Sequence, residues 1–340
     1  MVEPIELAPR LLVHGGGKHR VELGVDGIGD EAKNRHGGIF SGAGAVTGRR
    51  RAVLIAGPTA SGKSALALAM AQQTGAAIVN TDAMQVYDTL RLLTARPSVE
   101  ETEQAPHLLY GSVAASTRFS TSKWLTAVGD ILRETPADQP LIFIGGTGLY
   151  FDALLNGFAD VPEVAPDVAL QVQQEIQHLD ADARLALLQR EDPMAASRLG
   201  VVDPQRLIRA LAVKRATGQT LSSFQDAPQR GLLDDFDLER LVLDPSRDVL
   251  RRRIALRFEA MMSEGAVEEV AALRALDLDP SLPVMKAIGV HEIGDWLDGR
   301  SNRQTATELA TIATQQYAKR QRTWFRNRFA DWPRGLSGAQ

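Results

Sequence analysis

Eight consecutive residues, Gly57-Pro58-Thr59-Ala60-Ser61-Gly62-Lys63-Ser64, have the spacing G-x-x-x-x-G-K-[ST]. Between a strand and a helix, such a loop aims successive backbone N–H groups and a helix N-terminus at a polyphosphate. Lys63 adds a point charge, and the Ser64 hydroxyl can hold a Mg²⁺ ion. The flanks suit that placement: residues 52–56 are an apolar run and 64–73 an Ala/Leu-rich helix pattern. The loop therefore predicts binding of a di- or triphosphate. Two more residues stand where such chemistry collects. Asp82 follows an apolar run at 76–80, and Thr147 follows another at 141–144. Carboxyl ends of parallel strands converge, which puts both residues opposite the phosphate loop. Nucleotide hydrolysis normally needs an acid at a strand end to manage Mg²⁺ and water. Here 141–144 runs into Gly145-Gly146-Thr147, so that signature is incomplete, although Asp82 can take the metal role.

Positioning these groups takes a sheet. Short apolar runs at 52–56, 76–80, 141–144 and 241–243 alternate with helix patterns such as 122–135. That alternation predicts an α/β fold, a P-loop NTPase-like parallel sheet with helices on both faces. No strand pattern interrupts 160–230; helix formers with apolar residues three and four apart fill 167–179, 181–189, 193–199 and 204–217. Asp192-Pro193 and Asp203-Pro204 have Asp at an N-cap and Pro at the first helical position. The reading is an all-helical domain, 158–234, inserted into a core made of 51–157 and 235–332, with 333–340 as a tail. Residues 247–329 are largely helical in pattern. Residues 1–50 are glycine-rich and aperiodic, and predict a disordered extension, or translation from a start codon placed too far upstream. The histidines there, His14, His19 and His36, fit no zinc spacing.

Composition closes several routes. Cysteine is absent, which excludes a disulfide framework, a thiolate metal site and a cysteine nucleophile. No run is apolar enough to cross a membrane and no apolar signal segment opens the chain, so a cytoplasmic protein is expected. The net charge of -4 announces no global field for nucleic acid, but the cations are clustered. One cluster holds Arg206, Arg209, Lys214 and Arg215, and a second Arg247, Arg251, Arg252, Arg253 and Arg257. A third, Lys319, Arg320, Arg322, Arg326 and Arg328, is interleaved with Tyr317, Trp324 and Phe325. Any one cluster fits a solvated helix face; three beside a phosphate loop in an acidic chain point to a polyanion such as RNA.

Taken together, the motifs resemble the tRNA dimethylallyltransferase family. The resemblance rests on the phosphate loop, Asn80-Thr81-Asp82-Ala83-Met84-Gln85-Val86-Tyr87, Thr94-Ala95-Arg96-Pro97, Ala105-Pro106-His107 and Gly145-Gly146-Thr147-Gly148-Leu149-Tyr150. Asp203-Pro204-Gln205-Arg206, Lys286-Ala287-Ile288-Gly289 and the stretch from Tyr317 to Arg326 continue it in the family's order, over roughly residues 51–330. The chain departs from the family pattern at Val290, at Gln315 and at 88–93.

The resemblance implies transfer of a dimethylallyl group from dimethylallyl diphosphate to the exocyclic amine of adenosine at tRNA position 37, beside the anticodon, with residues 57–64 holding the diphosphate. Asp82 corresponds to the family's general base and Thr147 to the threonine that orients the amine. Lys63, Arg257 and Ser64 with Mg²⁺ would stabilise the leaving diphosphate. RNA contacts are implied at Asp82, Ala83, Met84, Gln85, Gln205, Arg206, Leu207, Ile208, Arg209, Lys286 and Gly289. On the last helix they are implied at Lys319, Arg320, Gln321, Arg322, Trp324 and Arg326. A monomer is expected, since one protein suffices for one anticodon stem-loop. Three alternatives stand beside this: a small-molecule P-loop kinase, an isopentenyltransferase acting on free adenine nucleotides, and a non-catalytic RNA-binding protein. The first has no use for three basic clusters, the second none for the helical insertion, and the third leaves Asp82 and Thr147 a coincidence.

Overall fold

The computed structural model describes residues 48–198 and 203–335. The expected extension before residue 48, with its three histidines, and the last residues of the expected tail lie outside the described residues. Six strands make one sheet: β1 (Arg50–Ala56), β2 (Ala77–Asn80), β3 (His107–Leu108), β4 (Leu141–Gly145), β5 (Phe236–Leu243) and β6 (Arg334–Gly335). Their order is β3-β2-β4-β1-β5-β6, and every pairing is parallel. In β1, successive residues point to opposite faces, yet Ala52 through Ala56 are all at most 1% exposed. Both faces of the sheet are therefore covered, as the unbroken apolar run requires.

The four strands expected from the sequence are present; the limits of β1, β2 and β4 shift by one or two residues and that of β5 by five. β5 begins five residues before the apolar run at 241–243, because Asp237, Glu239 and Arg240 hide the first half's strand character while that half pairs along β1. β3 and β6, two residues each, carry no periodicity that a sequence can show. β6 also takes Arg334 and Gly335 out of the expected tail and into the sheet.

The helices α1 (Lys63–Thr74), α2 (Val99–Gln104), α3 (Thr121–Glu134) and α4 (Gly148–Asn156) link the first strands. α1 lies along β1, β2 and β4, and α3 buries Trp124 and Val128 against the sheet. Between β4 and β5 come α5 (Pro166–Ile176), α6 (Ala181–Glu191), α7 (Pro193–Arg198), α8 (Pro204–Thr217) and α9 (Leu221–Asp226), with no strand among the described residues. These helices share an apolar cluster of their own, built on Val172, Ile176, Leu188, Leu207 and Leu211. Asp192 is 2% exposed and ties the cluster's ends together. Its carboxylate accepts from the Ala195 N–H, the Ser222 N–H and the Ser222 hydroxyl.

After β5 follow α10 (Arg247–Glu264), α11 (Ala266–Ala275), a 3₁₀ turn (Pro283–Lys286), α12 (Val290–Leu297) and α13 (Arg303–Arg328). Leu250 and Ile254 of α10 and Ala318 of α13 meet at a small apolar contact that also takes in Ala60 of the phosphate loop. No described helix is long and apolar enough to cross a membrane.

Candidate active site

The phosphate loop leaves β1 through Gly57, whose φ of 156° and surroundings admit no side chain: an added Cβ would sit 2.5 Å from the Leu243 carbonyl oxygen at the end of β5. The loop enters α1 with Gly62 at the N-cap. Lys63 Nζ donates to the Pro58 carbonyl at 2.7 Å and reaches Ser61 Oγ at 3.4 Å, so it lies folded over the loop. Burial pulls its ammonium down to about 7; the Asp82 carboxylate opposes that shift, and the Arg257 guanidinium adds to it. Arg257, on α10, donates to the Thr59 hydroxyl and is also lowered by burial, against the pull of Asp82. Ser64 is exposed on the first turn of α1.

Asp82 and Thr147 meet the loop from the other side. At the carboxyl ends of β2 and β4 the backbones nearly touch, and a Cβ at Gly145 would lie 2.0 Å from the Thr81 carbonyl oxygen. The Thr147 N–H donates to that same carbonyl at 3.2 Å. Asn80 shapes the turn: its Oδ1 accepts from the Asp82 N–H at 2.8 Å, and its Nδ2 donates to the Asp82 and Leu109 carbonyls at 3.0 Å. The Met84 N–H occupies Asp82 Oδ1 at 3.0 Å. Asp82 Oδ2 lies 3.3 Å from where a Gly146 Cβ would be. Thr147 Oγ1 accepts from the Ala83 N–H at 3.0 Å. Tyr110, Tyr150 and Tyr317 also gather here, their hydroxyls held protonated first by burial and then by the Asp82 charge.

One residue spans the two halves. Gln321 of α13 accepts from the Thr59 N–H at 2.9 Å and donates to the Gly146 carbonyl at 2.9 Å. It is 5% exposed and so braces the phosphate loop against the β4 turn. The resemblance implies an RNA contact here; in the protein itself both amide ends are bonded to the two loops. Leu207, another contact the resemblance implies, is 0% exposed in the helical cluster. A polar residue among the buried positions of an amphipathic helix was the available signal for Gln321.

The other expected RNA contacts divide by environment. Gln205, Arg206 and Arg209 are exposed on α8, with Ile208 half-buried between them, and Lys286 is exposed at the 3₁₀ turn. Lys319, Arg320 and Arg326 are exposed on α13, Arg320 lying over the Tyr317 ring at 5.7 Å. Arg322 is held by Asp244 at 2.6 Å, and Trp324 packs edge-on against Phe325 and Phe329. Gly289 is buried, and its N–H is taken by the Glu292 carboxylate at 2.9 Å. Ala83, Met84 and Gln85 are half-buried, the Gln85 amide donating to the Thr94 and Ala95 carbonyls.

A cation has few protein ligands to use. No group of three or more His, Cys, Asp or Glu side chains able to hold a metal occurs among the described residues. The Ser64 hydroxyl beside the loop suits a Mg²⁺ that keeps its waters and takes its remaining oxygens from a bound diphosphate.

A family model described as IPP transferase matches residues 85–328, and one described as isopentenyl transferase matches 50–115. A tRNA dimethylallyltransferase from Methylobacterium sp. (strain 4-46) is 51% identical over 278 residues, 82% of this chain and 91% of the relative. One from Chelativorans sp. (strain BNC1) is 48% identical over 283 residues, 83% of this chain and 97% of that one. Among solved structures, a eukaryotic dimethylallyltransferase acting on tRNA superposes with a TM-score of 0.69 at 26% identity, covering 85% of this chain and 74% of that one. The full-length tRNA isopentenylpyrophosphate transferase of Bacillus halodurans gives 0.58 at 28% identity, covering 85% and 90%.

Proposed function

The chain belongs to the tRNA dimethylallyltransferase family, and we propose that it prenylates tRNA through the groups gathered between the phosphate loop and the ends of β2 and β4. The enzyme transfers a dimethylallyl group to a tRNA adenosine. Residues 57–64 hold the diphosphate of dimethylallyl diphosphate, and the exocyclic amine of the adenosine beside the anticodon attacks the allylic carbon. The new C–N bond forms as the C–O bond to diphosphate breaks, and the amine's proton passes to Asp82. That amine is a weak nucleophile, its lone pair delocalised into the ring, so a base accepting the proton as attack develops lowers the barrier. Thr147 orients the amine, and Lys63 and Arg257 meet the negative charge growing on the leaving group. Mg²⁺ held by Ser64 and the diphosphate would neutralise part of that charge.

The observation that carries this reading is geometric: Gln321 bonds both the Thr59 N–H of the phosphate loop and the Gly146 carbonyl, and the Asp82 carboxylate lies beside Gly146, so loop, base and strand-end turn form one site. Nucleotide hydrolysis is not favoured, because β4 ends in Gly145-Gly146-Thr147 without an acid. The helical segment 158–234 forms the domain that grips the anticodon stem-loop, with Arg206 and Arg209 outward; Lys286, Lys319 and Arg326 complete the RNA surface. The protein works as a monomer in the cytoplasm, where one copy serves one stem-loop. Incubation with radiolabelled dimethylallyl diphosphate, Mg²⁺ and unmodified tRNA tests this. Label should enter the tRNA with the wild type and fall about 10²–10⁴-fold with Asp82→Asn. Undiminished transfer by Asp82→Asn would remove the base from the mechanism, and no transfer with consumption of ATP would refute the reading.

A further inference from the structure

Beyond Asp82 the chain folds back on itself before it reaches α2. Gln85 closes that fold: its Nε2 donates to the Thr94 carbonyl at 2.9 Å and to the Ala95 carbonyl at 3.0 Å. Its own carbonyl accepts from the Gly111 N–H at 3.0 Å. The turn that presents those two carbonyls is not comfortable by itself. Ala95 has a φ of 55°, in the left-handed region that disfavours a side chain. Arg96 Nε is buried with no hydrogen-bond partner among the described residues. A carboxylate from a remote helix holds the turn. Glu269 of α11 accepts from the Leu92 N–H at 2.7 Å through Oε1 and from the Leu93 N–H at 3.0 Å through Oε2. Leu93 in turn lies against Gly289, where an added Cβ would stand 2.6 Å from its Cδ1.

We infer that Glu269 is a positioning residue that fixes the Gln85 amide for RNA. A side-chain amide has two N–H donors and one carbonyl acceptor. Two backbone carbonyls can be met only by the nitrogen end, so Thr94 and Ala95 spend both donors and set which way the amide faces. Oε1 is the end left over, with no partner among the described residues. Gln85 therefore accepts from the RNA, from a base amine, a ring N–H or a 2′-hydroxyl, and has nothing to donate. The Thr94 and Ala95 carbonyls keep their places while the N–H groups just before them, at 92 and 93, are held. These bonds run to a charged acceptor, which makes them stronger than neutral ones. Without the carboxylate the turn can relax, the amide is free to rotate, and its nitrogen competes with its oxygen for the same contact.

This assignment rests on the proposed RNA contact at Gln85 and is tested by a double-mutant cycle in steady-state transfer to unmodified tRNA. Glu269→Gln removes the charge and one of the two acceptors. It should lower kcat/KM for tRNA about tenfold, the scale of one hydrogen bond, chiefly through KM. The KM for dimethylallyl diphosphate should hardly move. In a Gln85→Ala background the same change should cost less than about twofold, because no amide is left to orient. A fall of equal size in both backgrounds, or none in the wild-type background, overturns the role of Glu269 while wild-type transfer upholds the site. Loss of kcat with KM for tRNA unchanged overturns it too. Absence of transfer by the wild type overturns the RNA reading, and this role with it. If Glu269→Gln fails to fold, Glu269→Asp keeps the charge but draws the carboxylate back by one carbon. It takes the same place in the cycle, and its cost should likewise vanish when Gln85 is absent.

Discussion

With its ammonium pulled down to about 7 by burial, Lys63 is only part-charged at neutral pH until an anion reaches the loop. A bound diphosphate favours the charged lysine and raises its pKa, so binding takes up a proton above about pH 7. Titration of diphosphate into the protein at pH 8 should then give heats that differ between buffers of unlike ionisation enthalpy. Affinity should fall as pH rises through 7 to 9, and Lys63→Met should abolish the proton uptake; buffer-independent heats would contradict this. A side chain at position 57 has no room against the Leu243 carbonyl, so Gly57→Ala should destabilise the fold by about 1–3 kcal/mol in urea and weaken diphosphate binding. Chemistry carried by residue type was legible in the sequence: the phosphate loop, Asp82 and Thr147 stand where strand-end geometry put them. Gln321 was not, since an amide looks the same whether it faces RNA or braces two loops, and only packing decides.

At the scale of elements, the helical segment depends on a buried carboxylate. Burial alone would raise the pKa of Asp192, but hydrogen bonds from the Ser222 hydroxyl, the Ala195 N–H and the Ser222 N–H outweigh it, and the net shift is downward. A carboxyl lowered in the folded state contributes stability above its unfolded pKa, near 3.9, and loses it as pH falls further. Asp192→Ala should therefore destabilise this segment by about 2 kcal/mol or more at pH 7, leaving buried N–H groups unpaired. The difference from wild type should shrink below about pH 4; a gap constant with pH would show that the charge plays no part. The N-cap-proline pairs at Asp192 and Asp203 marked both helix starts correctly, because capping is a local property. The first half of β5 escaped because its strand character comes from β1 beside it rather than from its own alternation. The burial of Leu207 escaped for a similar reason: a contact motif taken whole includes the apolar position that anchors its helix.

For the whole molecule, charge is distributed by surface rather than by sum. Arg206 and Arg209 on α8, and Lys319 and Arg326 on α13, are exposed cations on separate elements. Replacing any one of them by Ala should lower the slope of log K against log salt for tRNA by about 1, uniformly across tRNAs. Diphosphate binding should be untouched, and four unchanged slopes would mean that the RNA lies elsewhere. The sheet order has a consequence for the making of the chain. β1 lies between β4 and β5, so one edge of it waits for residues 236–243. Until then that edge is a row of open backbone donors and acceptors. At about 5–20 residues per second, the ribosome takes on the order of ten seconds to pass from β4 to β5. The helices α5–α9 emerge in that interval, and their apolar cluster needs no strand to close. A nascent chain thus finishes a helical part while its most buried strand is still open, and that interval is when a chaperone would be needed.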